Sequence, residues 1–213
     1  MTDAEAFVRK HTRLAAAPFV PEILLHQADE AIELWEETEG AAATPQPPPF
    51  WAFAWAGGQA LARYVLDHPD LVAGRRVLDL AAGSGLVAIA AAQAGAASVT
   101  AVEIDPLAVA AIAVNAAANG VTITAHLGDV LDAEATDDVV LAGDVFYSRE
   151  MTGRMLAYLR GAAARGARTL AGDPGRAYLP TANLRKIAEY DVPVVATLED
   201  AAIKRTTVWE VLP

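Results

Sequence analysis

Short apolar runs alternate with helical periods through the middle of the chain. The apolar runs predict strands at Val77–Leu80, Val99–Ile104, Val121–Ala125, Val139–Ala142 and Thr169–Ala171. Apolar residues at helical spacing predict helices at Gly57–Leu66, Leu86–Ala94, Leu107–Ala118 and Met151–Ala164. Because strands that alternate with helices are joined by right-handed crossovers, this order predicts an α/β chain with a mostly parallel sheet covered on both faces.

The C-terminal part of the chain breaks this alternation. After a predicted helix at Ala182–Tyr190, the apolar segments Val194–Leu198 and Thr206–Val211 are separated by only a short loop. Two strands this close in sequence pair antiparallel, because a parallel pair needs a long crossover. We therefore expect the sheet to finish in an antiparallel hairpin at its edge.

A proline-rich segment separates an N-terminal arm from the rest of the chain. Residues 45–49 include four prolines and favour a stiff, extended backbone. Ahead of them, the spacing of Ile32 and Trp35 predicts an amphipathic helix. We expect residues 1–49 to form an arm and helix that pack on the core, and residues 50–213 to form the principal domain.

The charge balance changes which partners are plausible. The chain has 213 residues, with 16 Lys plus Arg against 27 Asp plus Glu and a net charge of −11. This balance disfavours nucleic acid and anionic membrane as partners and suits a cationic one. The N-terminus resembles neither a secretory signal nor a transit peptide, and the apolar run Val87–Ala97 is too short to span a bilayer. We therefore expect a cytoplasmic protein.

Cysteine and histidine usage limits the available chemistry. The chain has no cysteine, which excludes disulfides, a thiol nucleophile and thiolate metal ligands. The histidines show no paired metal spacing, so we predict no metal site and expect each of them at the surface or at an edge. They are His11, His26, His68 and His126.

A glycine turn between a strand and a helix predicts a nucleoside site. Gly83 and Gly85 follow the strand at Val77–Leu80 and precede an apolar helix. Glycines let the backbone approach a ligand closely, and the first N–H groups of the helix are free to bind it. Glu103, about 20 residues beyond the first glycine, is placed to accept hydrogen bonds from ribose hydroxyls. We expect Ser84 in the same site.

The glycine spacing alone does not identify the nucleoside. Gly83 to Ala88 also fits the dinucleotide fingerprint in its final-alanine form, so a nicotinamide-cofactor oxidoreductase stays open. Asp79 favours S-adenosylmethionine, because a carboxylate at the strand end repels a pyrophosphate and attracts an ammonium and a sulfonium. The alternative is a buried, hydrogen-bonded carboxyl group. A non-catalytic binding module on the same fold also stays open.

Further candidate cofactor contacts lie at the ends of the predicted strands, where a doubly wound sheet binds its ligand. Asp129 is placed to accept from an adenine amino group, with Val130 packed against the ring; a turn-capping aspartate is the alternative. We also expect Ala81 and Ile104 beside the cofactor.

Asp144 and Tyr147 are the candidate catalytic residues. With Phe146, they follow the fourth predicted strand, next to the expected sulfonium. An acid can orient an ammonium, a phenol can accept or relay a hydrogen bond, and an aromatic pocket lowers the pKa of an amine. The alternative makes Phe146 and Tyr147 core residues and Asp144 a cap.

An aromatic segment precedes the first glycine pair of the principal domain. Trp51, Phe53 and Trp55 are placed to cover the cofactor or to surround a methylated ammonium, because cations favour aromatic faces. The alternative is a set of aromatic residues held in the core by the N-terminal arm.

The chain resembles the electron-transfer-flavoprotein β-subunit lysine methyltransferases, with the resemblance covering Val20 to Pro213. It rests on residues 20–26, on Pro-Phe-Trp-Ala-Phe-Ala-Trp-Ala-Gly-Gly-Gln-Ala-Leu at 49–61, on the glycine turn at 77–85, on Gly-Asp-Val-Phe-Tyr at 143–147, on Gly-Asp-Pro-Gly-Arg at 172–176 and on Thr-Val-Trp at 207–209. A sheet that ends in an antiparallel hairpin is similar to the class I methyltransferase fold, which is Rossmann-like and has seven strands.

This resemblance implies S-adenosylmethionine as methyl donor and a protein lysine as acceptor. It implies that the segment from Asp144 to Tyr147 lies near the target lysine, and that Trp55 and Gly57 lie beside the cofactor. Ser148-Arg149 departs from the further acid common in the family, so a small amine such as nicotinamide stays open as acceptor. Asp173 and Arg176 would contact an acceptor protein or form a salt-bridged turn.

Overall fold

The structure is a computed structural model that describes residues 2–41, 47–194 and 201–213. The helices are α1 (Asp3–His11), α2 (Ala31–Ala41), α3 (Ala56–Asp67), α4 (Leu86–Gln93), α5 (Pro106–Ala118) and α6 (Arg149–Ala164). The strands are β1 (Arg13–Ala17), β2 (Val20–Gln27), β3 (Arg76–Leu80), β4 (Ser98–Glu103), β5 (Thr124–Leu127), β6 (Val139–Gly143), β7 (Arg168–Asp173), β8 (Leu184–Pro193) and β9 (Ile203–Val211). Short 3₁₀ turns lie at Phe50–Ala52, Pro69–Leu71 and Thr181–Asn183.

Seven strands form one sheet in the order β5-β4-β3-β6-β7-β9-β8. The first five in this order run parallel, whereas β9 pairs antiparallel with both β7 and β8. This confirms the predicted Rossmann-like class I methyltransferase fold, with a mostly parallel sheet that ends in an antiparallel hairpin. The strand order reverses between β3 and β6, so their carboxyl ends border the crevice where such sheets bind ligands.

Alternate residues of the central strands pack on opposite faces of the sheet. Val77 and Val139 join the core cluster formed with α3 and α4. Leu78 and Val140 join a second cluster formed with α6. Because both faces are covered, the predicted runs in these strands are apolar apart from Asp79 in β3, which is why the sequence pattern identified them.

The predicted helix at Ala182–Tyr190 is wrong, because residues 184–190 lie in β8 and the two residues before them lie in a 3₁₀ turn. The register of β8 against β9 shifts between Lys186 and Ala188. This irregularity interrupts the two-residue alternation of a strand and leaves Leu184, Ile187 and Ala188 at the spacing of a helix. The predicted strand Val194–Leu198 falls mostly on residues 195–200, outside the described residues.

The N-terminal arm contains elements that the sequence pattern did not predict. Strands β1 and β2 pair antiparallel as a separate two-stranded sheet, and α1 precedes them. The expectation that every histidine lies at the surface or an edge is wrong for His26, which is buried on β2 with Nδ1 3.0 Å from Thr12 Oγ1. Its backbone N–H donates to Asn115 Oδ1 at 2.8 Å.

Asn115 connects this arm to the glycine turn. Its side chain is fully buried on α5, and its Nδ2 donates to the Ser84 carbonyl at 2.8 Å. One side chain therefore satisfies the backbone of β2 and of the turn that follows β3. Within the described ranges 2–41, 47–194 and 201–213, no helix has the length and apolar character needed to cross a membrane.

Candidate active site

The turn between β3 and α4 has the left-handed backbone that its glycines allow. Gly83 has φ +55° and Gly85, the N-cap of α4, has φ +79°. Ala81 also has φ +55°, a value uncommon for a residue with a side chain. Gly85 has no side chain to cap α4, and its own N–H donates to the Ala82 carbonyl at 2.8 Å.

Asp79 lies at the end of β3 and is almost completely buried, at 1% exposure. Its Oδ2 accepts from the N–H of Ala88, in the first turn of α4, at 2.9 Å. Burial raises the pKa of this carboxyl to about 8, and Glu103 adds to the rise. Asp79 therefore carries a proton at neutral pH, and a cation brought beside it would favour its ionised form.

Glu103 joins the carboxyl ends of β3 and β4. Its Oε1 accepts from Gly83 N–H at 3.0 Å and its Oε2 from Ile104 N–H at 2.8 Å. Burial raises the pKa of Glu103, while these backbone N–H groups oppose the rise. The hydrogen bonds fix the carboxylate at the rim of the crevice, 20 residues beyond the glycine to which it bonds.

A cavity of about 330 Å³ opens at these strand ends. It is lined by Phe50, Trp55, Ala81, Gly83, Glu103, Gly143, Asp144, Val145, Tyr147 and Arg176. A smaller space of about 50 Å³ lies beside it and is bordered by Asp79, Ser84 and Phe53, among others. The two spaces share Trp55, Ala81, Gly83, Gly143 and Asp144.

Asp144 follows β6 in a left-handed conformation, with φ +58°. Its Oδ2 accepts from Gly58 N–H, in the first turn of α3, at 2.8 Å, and its Oδ1 accepts from Arg176 Nη2 at 2.7 Å. Trp55, the N-cap of α3, makes no capping bond through its side chain, so Asp144 supplies that contact from another element. Burial raises the pKa of Asp144, and Arg176 opposes the rise.

The start of α3 packs unusually close to the ends of β6 and β7. A Cβ added to Gly57 would lie 2.2 Å from the Gly172 carbonyl oxygen and 2.6 Å from Asp144 Oδ2. A Cβ added to Gly172 would lie 2.0 Å from the Gly57 carbonyl oxygen. The absence of side chains at both positions lets Gly58 N–H reach Asp144.

Aromatic side chains form one wall of the larger cavity. The rings of Phe50 and Trp55 are 5.9 Å apart and those of Phe50 and Tyr147 are 6.2 Å apart. Trp55 Nε1 donates to the Phe50 carbonyl at 2.7 Å, which fixes the indole. Tyr147 is half exposed, and burial together with Glu103 raises its pKa, so its hydroxyl is protonated at neutral pH.

The structure does not bring Trp51 and Phe146 to the cavity. Trp51 is 1% exposed and packs with α5, and Phe146 is fully buried in the cluster formed with α6. The core alternative therefore describes the surroundings of both side chains, and their role in binding substrate stays a prediction. Phe53 is also largely buried but borders the smaller space.

The outer cofactor candidates lie outside both spaces. Asp129 accepts from Leu131 N–H at 2.9 Å and from Arg154 Nη1 at 2.8 Å, which matches its turn-capping alternative and lowers its pKa. Ile104 is 66% exposed, and Val130 packs against the core on the α6 side.

Several lining residues were not predicted as parts of the site. Phe50 lies in the aromatic segment that precedes α3. Because residues 50–52 form a 3₁₀ turn, the ring of Phe50 lines the cavity while that of Trp51 is buried. Gly58 acts through its backbone. The sequence predicts Arg176 as an acceptor contact or part of a salt-bridged turn, but not its ion pair with Asp144, which joins distant segments. Only the glycine pair at 57–58 could have signalled the close approach of α3.

The lining residues fit a cationic nucleoside better than a dinucleotide. Three carboxyl groups, those of Asp79, Glu103 and Asp144, border the two spaces. Of the described residues that line the larger cavity, Arg176 alone is cationic, and it is paired with Asp144. A pyrophosphate would therefore meet the Glu103 carboxylate without a free counter-charge, whereas a sulfonium and an ammonium would be attracted.

Two solved structures with a similar fold are named as methyltransferases. A ribosomal protein L11 methylase from Lactobacillus delbrueckii subsp. bulgaricus aligns with a TM-score of 0.52 and 19% identity, covering 76% of this chain and 81% of that chain. Magnesium protoporphyrin IX methyltransferase from Synechocystis, solved with S-adenosylmethionine bound, aligns with a TM-score of 0.52 and 17% identity. This alignment covers 72% of this chain and 77% of that chain. The family model for ribosomal protein L11 methyltransferase matches residues 59–144. Fold and site define a class I methyltransferase.

Curated relatives identify the family more closely. An electron transfer flavoprotein beta subunit lysine methyltransferase from Danio rerio is 35% identical over 215 residues, covering 97% of this chain and 83% of that protein. The Homo sapiens protein of the same name is 34% identical over 219 residues, covering 99% and 83%. The chain belongs to the electron transfer flavoprotein β-subunit lysine methyltransferase family. This membership does not favour a nicotinamide-cofactor oxidoreductase or a small-amine methyltransferase.

Proposed function

We propose that this protein transfers a methyl group from S-adenosylmethionine to the Nζ atom of a lysine in a protein, with the β subunit of electron transfer flavoprotein as the acceptor. The observation that carries the proposal is the aromatic-walled cavity where Glu103 and the glycine turn meet Asp144 and Tyr147. The relatives named above supply the acceptor, since each bears that subunit in its name.

The glycine turn and its neighbouring carboxyl groups hold the donor in this proposal. Glu103 accepts from the ribose hydroxyls, and the backbone of the turn lies beside the ligand. Asp79 ionises when the ammonium of the donor lies beside it. The exposed Ile104, next to Glu103, borders the adenine from the rim. When bound, S-adenosylmethionine supplies an electrophilic methyl group on a sulfonium sulfur.

Asp144 and the aromatic wall receive the acceptor lysine. The Asp144 carboxylate attracts the ammonium, and Phe50, Trp55 and Tyr147 surround its aliphatic stem. Desolvation between these rings lowers the pKa of the amine, which must lose its proton before its lone pair can attack a methyl group. The Tyr147 hydroxyl orients the nitrogen by a hydrogen bond.

The test is transfer of labelled methyl groups from S-adenosylmethionine to purified electron transfer flavoprotein, with a parallel panel of free amines that includes nicotinamide. We expect label on the β subunit, released as methyllysine on hydrolysis. Asp144→Asn serves as the matched variant, because its amide keeps an oxygen for Gly58 N–H but removes the charge. Label in a free amine and none in protein would overturn the proposal.

A further inference from the structure

Arg176 lies at the boundary between the candidate active site and an adjoining groove. It lines the 330 Å³ cavity, and it also lines a groove of about 260 Å³ whose other residues include Tyr147, Pro174 and Lys204. Asp173 Oδ1 accepts from the N–H groups of Gly175 and Arg176, each at 2.7 Å, and holds the loop after β7 in place. The position of the guanidinium is therefore set by the fold.

Two contacts hold the Arg176 side chain over the acceptor side of the cavity. Its Nη2 donates to Asp144 Oδ1 at 2.7 Å, and its Cζ lies 5.9 Å from the centre of the Trp55 ring. Both side chains of the ion pair are largely shielded, at 23% exposure for Arg176 and 11% for Asp144. Water therefore screens this fixed charge only weakly.

The charges around Asp144 come from several elements. Arg176 is the cation that faces it, while Asp173 at the end of β7 and Glu103 at the end of β4 are acidic neighbours of the same site. Asp79 borders the adjoining smaller space, and the neutral Tyr147 hydroxyl lies on the same wall. Apart from Arg176 and the neutral Tyr147, the ionisable groups among the described residues that line the cavity are carboxyls, which favour a charged ammonium and disfavour the neutral amine; Lys204 lies in the adjoining groove.

We propose that Arg176 is a positioning residue for methyl transfer, which fixes the Asp144 carboxylate in one orientation and uses its own permanent charge to promote loss of the proton from the acceptor amine. The inference rests on the proposed function. A cation near an amine lowers the pKa of that amine, because two like charges disfavour each other. Arg176 remains protonated at every pH relevant to the reaction.

Methyl transfer then needs only the acceptor amine, S-adenosylmethionine and solvent. The acceptor ammonium first gives its proton to solvent, and the neutral nitrogen uses its lone pair to form the bond to the methyl carbon. The bond from that carbon to the sulfonium sulfur breaks with its electron pair on sulfur, which becomes a neutral thioether. The nitrogen gains the positive charge and releases a second proton to solvent before any further transfer.

The test compares Arg176→Gln, which removes the charge, with Arg176→Lys, which keeps it. The matched control is Arg76→Gln, because Arg76 pairs with Asp138 at the opposite end of the sheet and its Nη2 lies 2.9 Å from Asp138 Oδ1. For each protein, kcat and KM for electron transfer flavoprotein are measured between pH 6 and pH 10 (roughly the range in which amines of this kind titrate). Circular dichroism reports the fold.

We expect Arg176→Gln to shift the acid limb of the kcat profile to higher pH by about one unit or more. At pH values on that limb, kcat should therefore fall about tenfold. The KM for the acceptor should change less than kcat. Arg176→Lys should restore most of the profile, and Arg76→Gln should match wild type. Equal loss of kcat by Arg176→Gln at every pH would overturn the proposal, as would failure of Arg176→Lys to restore the limb.

A second measurement needs neither donor nor acceptor. Carbon-13 labelling of aspartate follows the Asp144 carboxyl by NMR, with Asp144→Asn assigning its signal. The Asp144 pKa should rise by about one to three units in Arg176→Gln, and an unchanged titration would overturn the proposal. If wild type methylated no protein, the proposed function would fail, while this titration would still report whether Arg176 holds Asp144 in its ionised form.

Discussion

Replacing Asp79 with asparagine should remove a pH dependence of folding that originates in the candidate active site. Asp79 is buried and its pKa lies at about 8 in the folded protein, against 3.8 as the reference value for an aspartate side chain. Between these values the folded protein keeps a proton that the unfolded chain has lost. Stability therefore falls as pH rises through this window and is fully present only below the lower value.

The magnitude follows from the difference between the two values. A difference of about 4 pKa units corresponds to at most about 6 kcal/mol, since each unit is worth about 1.4 kcal/mol. Asp79 alone should therefore lower the free energy of unfolding by about 1.4 kcal/mol for each pH unit between about pH 4 and pH 8. Asparagine keeps a carbonyl oxygen for Ala88 N–H and has no proton to lose, so Asp79→Asn should lack this slope.

The assay is urea denaturation of wild type and Asp79→Asn without ligand, at half-unit steps from about pH 5 to about pH 8.5 across the window in which the slope applies. The matched control is Asp138→Asn. Asp138 is an exposed carboxyl whose pKa is lowered to about 2 by Arg76, so it is ionised in both states throughout this range and adds no slope. Parallel stability curves for wild type and Asp79→Asn would refute the reasoning.

Three further substitutions test other parts of the site. Gly57→Ala should lower the free energy of unfolding by about 1–3 kcal/mol and abolish activity, because its Cβ would lie 2.2 Å from the Gly172 carbonyl oxygen. The control is Gly153→Ala on α6, whose Cβ meets nothing within 4 Å. In thermal melts this control should be neutral or stabilising. Glu103→Gln should weaken donor binding about tenfold or more by calorimetry, because an amide cannot accept as the carboxylate does; unchanged affinity would exclude it as the ribose ligand. Asn115→Ala should lower the free energy of unfolding by about 1–3 kcal/mol, because it leaves the buried Ser84 carbonyl without its donor; a stability equal to wild type would contradict this.

The central sheet could be predicted because its strands are buried on both faces. β3, β4, β6 and β7 each appear as a short apolar run, and helices at apolar spacing separate most of them. β5 lies further along the chain than predicted, at Thr124–Leu127, because it is an edge strand and largely exposed. Pattern recognition therefore works best where the core dictates every position.

The irregular elements could not be predicted from periodicity. The register shift in β8 gives its apolar residues the spacing of a helix, and only pairing with β9 reveals the strand. Pro21 lies within β2, a position that sequence rules assign to breaks and turns. In both cases tertiary pairing overrides the local pattern.

The site divides in the same way into local and distant parts. The proximity of Gly83 and Glu103 could be predicted because a strand, a turn and the next strand end form one continuous unit, whereas Gly85 lines neither space. The hydrogen bonds from Gly58 and Arg176 to Asp144 could not be predicted, because they join three chain segments that meet only in the folded sheet. Fully buried Phe146 shows that a residue within a suggestive motif can lie in the core.

The close contact between Gly57 and Gly172 also constrains how the protein acquires its site during synthesis. More than half of the chain separates these residues, and α3 emerges from the ribosome long before β7. Because the start of α3 lies against the ends of both β6 and β7, its full set of contacts can form only after residue 172 has been synthesised. A nascent chain that ends before residue 172 therefore lacks the β7 side of this contact and the Arg176 partner of Asp144, even though its glycine turn and Glu103 have already been made.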